Sequence, residues 1–348
     1  MEKITSVSVK SFRSHDKKEI KLHPQTTIII GKNGIGKTSL IEALYTALQG
    51  KSFKGKDEEL LKYNEKWWRV DVLFNDKTTR STSFNSDLKT KQKEFYVNGK
   101  KTHRLLFKDK YPIVLFEPDT TQILYGSPSR RRDYIDSIIS QIDSQYSKIQ
   151  ATYDKALRQR NSLLKQGVSD SIHYFPWDIT LSEYGSSIIA RRERIIKKIN
   201  ETIEDVYRSI SKNKDSITIS TDYTEEEYTN KKLFDDLSKY FNKDRIIKHT
   251  TVGPHRHDFN IYINNKPVAT TASRGEARTI ILALKFIETK IIEEIVEKKP
   301  IIILDDVYSE LDDTRQRNLI TSDNQYIITS THPIEGLKNT KTINLNDK

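Results

Sequence analysis

Three short runs of this 348-residue chain carry residue types whose spacing performs recognisable chemistry. The first is Gly31, Lys32, Asn33, Gly34, Ile35, Gly36, Lys37 and Thr38, followed by Ser39. It fits G-x-x-x-x-G-K-[ST], with an apolar run (Ile28, Ile29, Ile30) before it and helical apolar spacing (Leu40, Leu44, Ala47) after it. Glycines let the backbone curl so that successive amide NH groups face one point, and the N-terminus of the following helix adds its positive end. A polyphosphate fits there. The spacing predicts that Lys37 reaches the β- and γ-phosphates of a bound nucleotide, and that the Thr38 hydroxyl ligates the magnesium ion bridging them.

The second run is Asp305-Asp306, directly after the apolar Ile301–Leu304. Two carboxylates at the end of a buried strand have no packing role. In phosphate-loop enzymes the first orients magnesium and the second polarises the attacking water. The segment Ser309 to Asp312 (SELD) follows, and the next apolar run ends at Thr329-Ser330-Thr331-His332. A histidine at that strand tip can hydrogen-bond a γ-phosphate, so Asp306 and His332 are the expected catalytic pair.

The third run is Ser273-Arg274-Gly275-Glu276. Locally it is a capping box, with Ser273 bonding first-turn NH groups and Glu276 reaching back. Such a helix start is also an anion site, which suits a nucleotide held by a second subunit.

The elements that position these runs alternate in kind. Val7 and Val9 alternate with polar residues, Phe12-Arg13 follows, and residues 1–26 read as an edge of sheet. Strand-like runs at 67–75 and 78–85 precede a hairpin turning at Asn98-Gly99, and Tyr111 to Phe116 reads as a buried strand. Helical spacing then dominates: Ile135, Ile138, Ile139 and Ile142, next the stripe of Leu181, Ile188, Ile195 and Ile199, and a further helix near 225–242. These read as a small helical bundle, too short for two coiled-coil arms. The β pattern returns at 250 with a turn at Asn264-Asn265. His255 and His257 have no third ligand at suitable spacing, so no metal site is expected there. The halves of one site thus come from opposite ends of the chain: residues 1–117 and 249–348 form the head, and 118–248 an insertion.

Composition narrows the setting. Lys+Arg 59 against Asp+Glu 48 gives net +11, which favours a polyanionic partner, although the joint richness in Lys, Ile and Asn is also what an AT-rich genome produces. The region Lys89 to Lys110 is strongly basic; a solvated face and a phosphate-tracking edge both fit it. With no cysteine there is no disulfide, thiolate zinc site or cysteine nucleophile. The first residues lack the apolar core of a signal peptide, and no stretch reaches the length of a membrane span, so a soluble cytoplasmic protein is expected.

Together the phosphate loop, Ser-Arg-Gly, LDD, SELD and the terminal histidine resemble an ATP-binding-cassette head of the chromosome-maintenance type. FEPDTTQILYGSPSRRRDYID (Phe116 to Asp136), ALRQRNSLLK (Ala156 to Lys165), WDITLSEYGSSII (Trp177 to Ile189), VGPHRHDF (Val252 to Phe259) and ILDDVYSELDDTR (Ile303 to Arg315) resemble the RecF family of bacterial recombination mediators. The resemblance implies an α/β fold: a phosphate-loop ATPase head with an antiparallel β lobe, split by a helical arm. It also implies a slow ATPase that dimerises on ATP, binds duplex and junction DNA, and works with RecR and RecO to place RecA. Carried over by residue, Gly31 to Ser39 would hold phosphate, Thr38 and Asp305 magnesium, Asp306 the water and His332 the γ-phosphate. Ser273, Arg274 and Gly275 would close over the partner's ATP, and Arg13 would approach the nucleotide. Three departures stand out: Glu276-Ala277 where the family signature usually continues with glutamine, Asp306 where transporter cassettes carry glutamate, and His332, which resembles the general cassette pattern more than many RecF proteins. An ATPase subunit of a membrane transporter is the alternative, and it leaves the insertion unexplained.

Overall fold

The computed structural model describes residues 2–90, 92–308 and 323–346. In chain order come β1 (Ile4–Phe12), β2 (His15–Lys21), β3 (Thr26–Ile30), α1 (Lys37–Gln49), β4 (Trp67–Phe74), β5 (Thr79–Asn85), β6 (Lys93–Val97), β7 (Lys100–Thr102) and β8 (Ile113–Phe116). Helices α2 (Gln122–Tyr125), α3 (Pro128–Ile142), α4 (Tyr146–Gln166), α5 (Phe175–Asn200) and α6 (Ile203–Ser211) follow. Next are β9 (Ile217–Thr221), α7 (Asn230–Lys239), α8 (Phe241–Ile247), β10 (Phe259–Ile263), β11 (Lys266–Pro267), α9 (Val268–Thr271) and α10 (Arg274–Val296). The remaining strands are β12 (Ile301–Leu304), β13 (Gln325–Ser330) and β14 (Thr340–Asn344).

These elements form two compact units, Met1–Asp119 with Thr289–Lys348, and Thr120–Glu288. The first unit contains the loop-bearing sheet, in the order β14-β3-β13-β12-β8, with every neighbouring pair parallel. All five residues of β3 and all four of β12 are buried, as strands covered on both faces must be. Parallel strands present their carboxyl ends together, and that edge is where open α/β sheets hold ligands. An antiparallel sheet in the order β2-β1-β4-β5-β6-β7 completes the unit. In it β2, not β1, is the edge strand, because the β1 residues Val7 and Val9 pair on both sides. Helix α1 packs on β1, β4 and β5, and its Leu40, Ile41, Leu44 and Leu48 share one core with Trp68 and Val70 of the antiparallel sheet and Ile303 and Ile327 of the parallel one.

The second unit takes in the expected helices and also the signature residues, since it extends to Glu288, past the end of the 118–248 insertion. It carries a sheet, β11-β10-β9, whose β10–β11 hairpin is the β pattern expected after 250, while β9, inside the insertion, is a strand that the helical reading omitted. Strand β9 alternates buried and exposed residues through Ile217, Thr218, Ile219 and Ser220, a signal short enough to vanish between two helical stripes. The turn into β11 lies where expected, with Asn264 and Asn265 both at positive φ (49° and 61°), the conformation of a two-residue hairpin loop.

Buried ion pairs lock the helices of this unit. Arg160, fully buried, donates from Nε to Asp178 at 2.6 Å and from Nη1 to Asp244 at 2.7 Å and Thr250 at 2.9 Å. Arg192 forms a two-pronged pair with Asp136 at 2.7 and 2.8 Å. Burial holds His255 well below its ordinary pKa; Tyr153 Oη and Nδ1 are 2.6 Å apart, and Nε2 lies 3.1 Å from the Thr250 carbonyl. His257 stacks on Tyr223 at 4.6 Å. Among the described residues no cluster of metal-ligating side chains occurs.

Candidate functional site

The phosphate loop leaves β3 and turns into α1 at Gly36, whose φ of 105° only glycine adopts readily. Space imposes the same requirement, because a Cβ on Gly36 would lie 2.5 Å from both Ser14 Oγ and His15 Nε2. His15 Nε2 lies 3.0 Å from the Gly36 carbonyl, and burial holds the imidazole below its ordinary pKa, so the neutral ring donates there. Lys37 opens the helix. With only 4% of it exposed, its ammonium donates to the Gly31 carbonyl at 2.9 Å and lies 3.6 Å from Asp306 Oδ2.

The carboxylates meet the loop as expected. Thr38 Oγ1 donates to Asp305 Oδ2 at 2.9 Å, with Oδ1 at 3.1 Å. Asp305 is 2% exposed. Asp306 occupies the left-handed region at φ 52° and lines a cleft of about 510 Å³ together with Arg13, Asn33, Gly34, Lys37 and Ser39. Burial, with Asp305 adding to it and Lys37 opposing it, raises the Asp306 carboxyl above its ordinary pKa. That is the direction a proton-accepting carboxylate needs in order to work near neutral pH.

Three side chains of this site escaped the sequence reading. Thr329, on β13 and fully buried, donates to Asp305 Oδ1 at 2.8 Å and accepts the Asp306 backbone NH at 2.9 Å. Glu117 follows β8, and Lys54 Nζ lies 3.8 Å from its Oε1 and 3.9 Å from Asp305 Oδ2. The signal that marks Asp305, a carboxylate directly after an apolar strand, also marks Glu117 after IVLF. Nothing local marks Lys54 or Thr329.

Other expected residues are placed as follows. Arg13 lines the cleft, but its guanidinium is engaged: Nε and Nη2 donate to the two Glu42 carboxylate oxygens at 2.9 Å each, and Nη1 to the Glu59 carbonyl at 2.7 Å. His332 is exposed, and its backbone NH donates to Ser330 Oγ at 3.1 Å. In the second unit, Ser273 and Glu276 form the expected capping box: the Ser273 NH donates to Glu276 Oε2 at 2.7 Å, and the Glu276 NH to Ser273 Oγ at 3.3 Å. The carboxylate of Glu276 is thereby drawn onto its own helix end. Ser309 to Asp312 lie outside the described residues. In the basic region, Lys93 pairs with Asp57 and Lys101 with Glu94, so part of its charge is spent internally; Lys91 lies outside the described residues.

Comparison with known proteins places this arrangement in a family. The RecF/RecN/SMC N-terminal domain matches residues 3–342. A protein of Clostridium perfringens called DNA replication and repair protein RecF is 34% identical over 325 residues, spanning 92% of this chain and 90% of that protein. Its namesake in Agathobacter rectalis is 31% identical and covers 97% of this chain and 94% of its own. The solved structure of a recombination mediator protein RecF with ATP, in the RecFOR pathway, is 31% identical, covers 97% of this chain and 94% of its own, and superposes with a TM-score of 0.87. The Smc head domain of Pyrococcus furiosus, at 19% identity and a TM-score of 0.52, shares the fold. The RecF matches run through the insertion that a transporter ATPase leaves unexplained, and among the described residues no helix is long and apolar enough to cross a membrane. From its sequence and its fold alike, the chain belongs to the RecF family of the RecF/RecN/SMC class.

Proposed function

We propose that this chain is an ATP-dependent DNA-binding recombination mediator: a slow, cytoplasmic ATPase that dimerises on ATP, binds duplex or junction DNA, and with RecO and RecR helps load RecA. The observation that carries the reading is the meeting, from opposite ends of the chain, of Lys37 and Asp306 at one cleft, with Asp305 bonded to the cleft-lining Thr38. A RecF bound to ATP supports the nucleotide, and the net charge of +11 supports a polyanionic partner.

The donor set suits magnesium. Thr38 and Asp305 offer hard oxygens, and Asp306 Oδ1 is buried without a hydrogen-bond partner, as a group awaiting a ligand would be. Thr38 and Asp305 would hold the ion, which when bound would supply positive charge against the developing negative charge of the phosphates. Gly31 to Ser39 would cradle the phosphates with backbone NH groups. Lys37 would turn from the Gly31 carbonyl to the phosphates, releasing Asp306 to accept the proton of the attacking water. Its short side chain suits slow, switch-like turnover. His332 would bond the γ-phosphate, and Ser273, Arg274 and Gly275 of a second copy would close the site. With Glu276 drawn back into the capping box, its charge is compatible with that closure.

Light scattering of Asp306→Asn tests the reading. It should be monomeric alone, dimeric with ATP and magnesium, and retain a short duplex as the dimer. A monomer that binds ATP yet never dimerises refutes the clamp. Glu276→Gln, which keeps the cap with less charge, should tighten the ATP-dependent dimer.

A further inference from the structure

The loop leaving α1 carries a cation into the carboxylate cluster. Glu42, on α1 and 2% exposed, accepts Ser52 Oγ at 2.5 Å in addition to the Arg13 bonds. Ser52 Oγ in turn accepts the backbone NH of Lys54 at 2.9 Å and of Gly55 at 3.1 Å, fixing the turn from which the Lys54 side chain departs. That places Lys54 Nζ near both Asp305 and Glu117, at 3.9 and 3.8 Å. The two carboxylates are neighbours because β8 and β12 pair in parallel with Phe116 opposite Leu304, so each strand ends in its acid at the same level. Neighbouring like charges are stabilised by a counter-ion, and among the described residues the Lys54 ammonium lies beside both.

The next step rests on the reading that Asp305 and Thr38 hold magnesium. We propose that Lys54 is a built-in counter-cation of the metal site, which neutralises Asp305 and Glu117 until a magnesium ion displaces it. The two cations compete for the same oxygens. A divalent ion in direct contact outweighs a single charge nearly 4 Å away, and a flexible, 43% exposed lysine can swing out to solvent. The site therefore binds free magnesium poorly, and the metal enters with the polyphosphate that helps to hold it. Glu42 and Ser52 act through Lys54 as positioning residues.

The test is binding of a fluorescent ATP analogue titrated with magnesium chloride, comparing wild type, Lys54→Ala and Lys54→Arg. Lys54→Ala should lower the half-saturating magnesium concentration by about three- to tenfold, a shift expected from removing one partly screened competing charge. Lys54→Arg, which keeps the charge, should stay within about twofold of wild type. An unchanged half-saturation in Lys54→Ala overturns the proposal, and a raised one does so by assigning Lys54 to the phosphates. Wild-type binding that is indifferent to magnesium refutes the metal assignment itself, a distinct failure.

Discussion

Lys37 Nζ lies 3.6 Å from Asp306 Oδ2, so the cation expected to hold the phosphates and the carboxylate expected to hold the water face each other across one cleft. Each occupies ground that the nucleotide would contest. Lys37→Ala removes the charge that the phosphates require and should abolish ATP binding in a calorimetric titration; unchanged affinity would disprove the role of the loop. Asp306→Asn should retain binding and lose nearly all hydrolysis, and wild-type turnover would show that another group prepares the water.

Thr329 serves both acids at once through a single hydroxyl. Thr329→Val keeps the shape but removes a buried donor to a carboxylate, which costs about 1.5–3 kcal/mol of stability by denaturant unfolding. Turnover should fall more than ATP affinity, because the loop is untouched while Asp305 and the Asp306 backbone lose their anchor. Thr329→Ser should recover both measures. Equal losses of affinity and turnover would instead assign Thr329 to folding alone.

Arg160 makes a separate prediction for the second unit. Arg160→Met leaves Asp178 and Asp244 buried with no partner of opposite charge, and should destabilise the protein by about 3–5 kcal/mol. A triple change that also replaces both aspartates with apolar residues should regain much of the loss. If Arg160→Met unfolds at the wild-type denaturant concentration, the network carries no stability.

The buried histidines set an acid limit. Burial lowers His255 to about 4 and His257 to about 3, against 6.5 when unfolded. Below pH 6.5 the unfolded chain binds protons that the folded chain refuses, so stability falls as pH drops from 6.5 toward 4. Each histidine that stays neutral when folded contributes about 1.4 kcal/mol of loss per pH unit. Melting temperature measured from pH 7 to 5 should fall, and His255→Gln with His257→Phe should flatten the slope. An unchanged slope would mean that these rings charge freely in the folded protein.

Much of the site was legible because its chemistry is local. A phosphate loop needs a strand, glycines and a helix start in one continuous stretch, so Gly31 to Ser39 declare themselves, as do the acids ending β12 and the capping box of Ser273 and Glu276. Family blocks such as SPSRRRDYID extend that legibility to the arm. Strand β9 was lost because five alternating residues carry little periodic signal in a segment dominated by helices such as the 21-residue α4.

Only the tertiary structure could decide which distant side chains gather around the acids that follow β12. Thr329 reaches Asp305 because β13 lies beside β12 in register, with Ile328 opposite Leu304. Glu117 nears Lys54 because β8 borders β12 on the other side. Arg13 is held by Glu42 rather than left free for the nucleotide, since α1 packs beneath β1. A strand's sequence specifies which faces it buries, but not which strand lies next to it. That choice is made by the whole sheet, and it determines which charges meet at the strand ends.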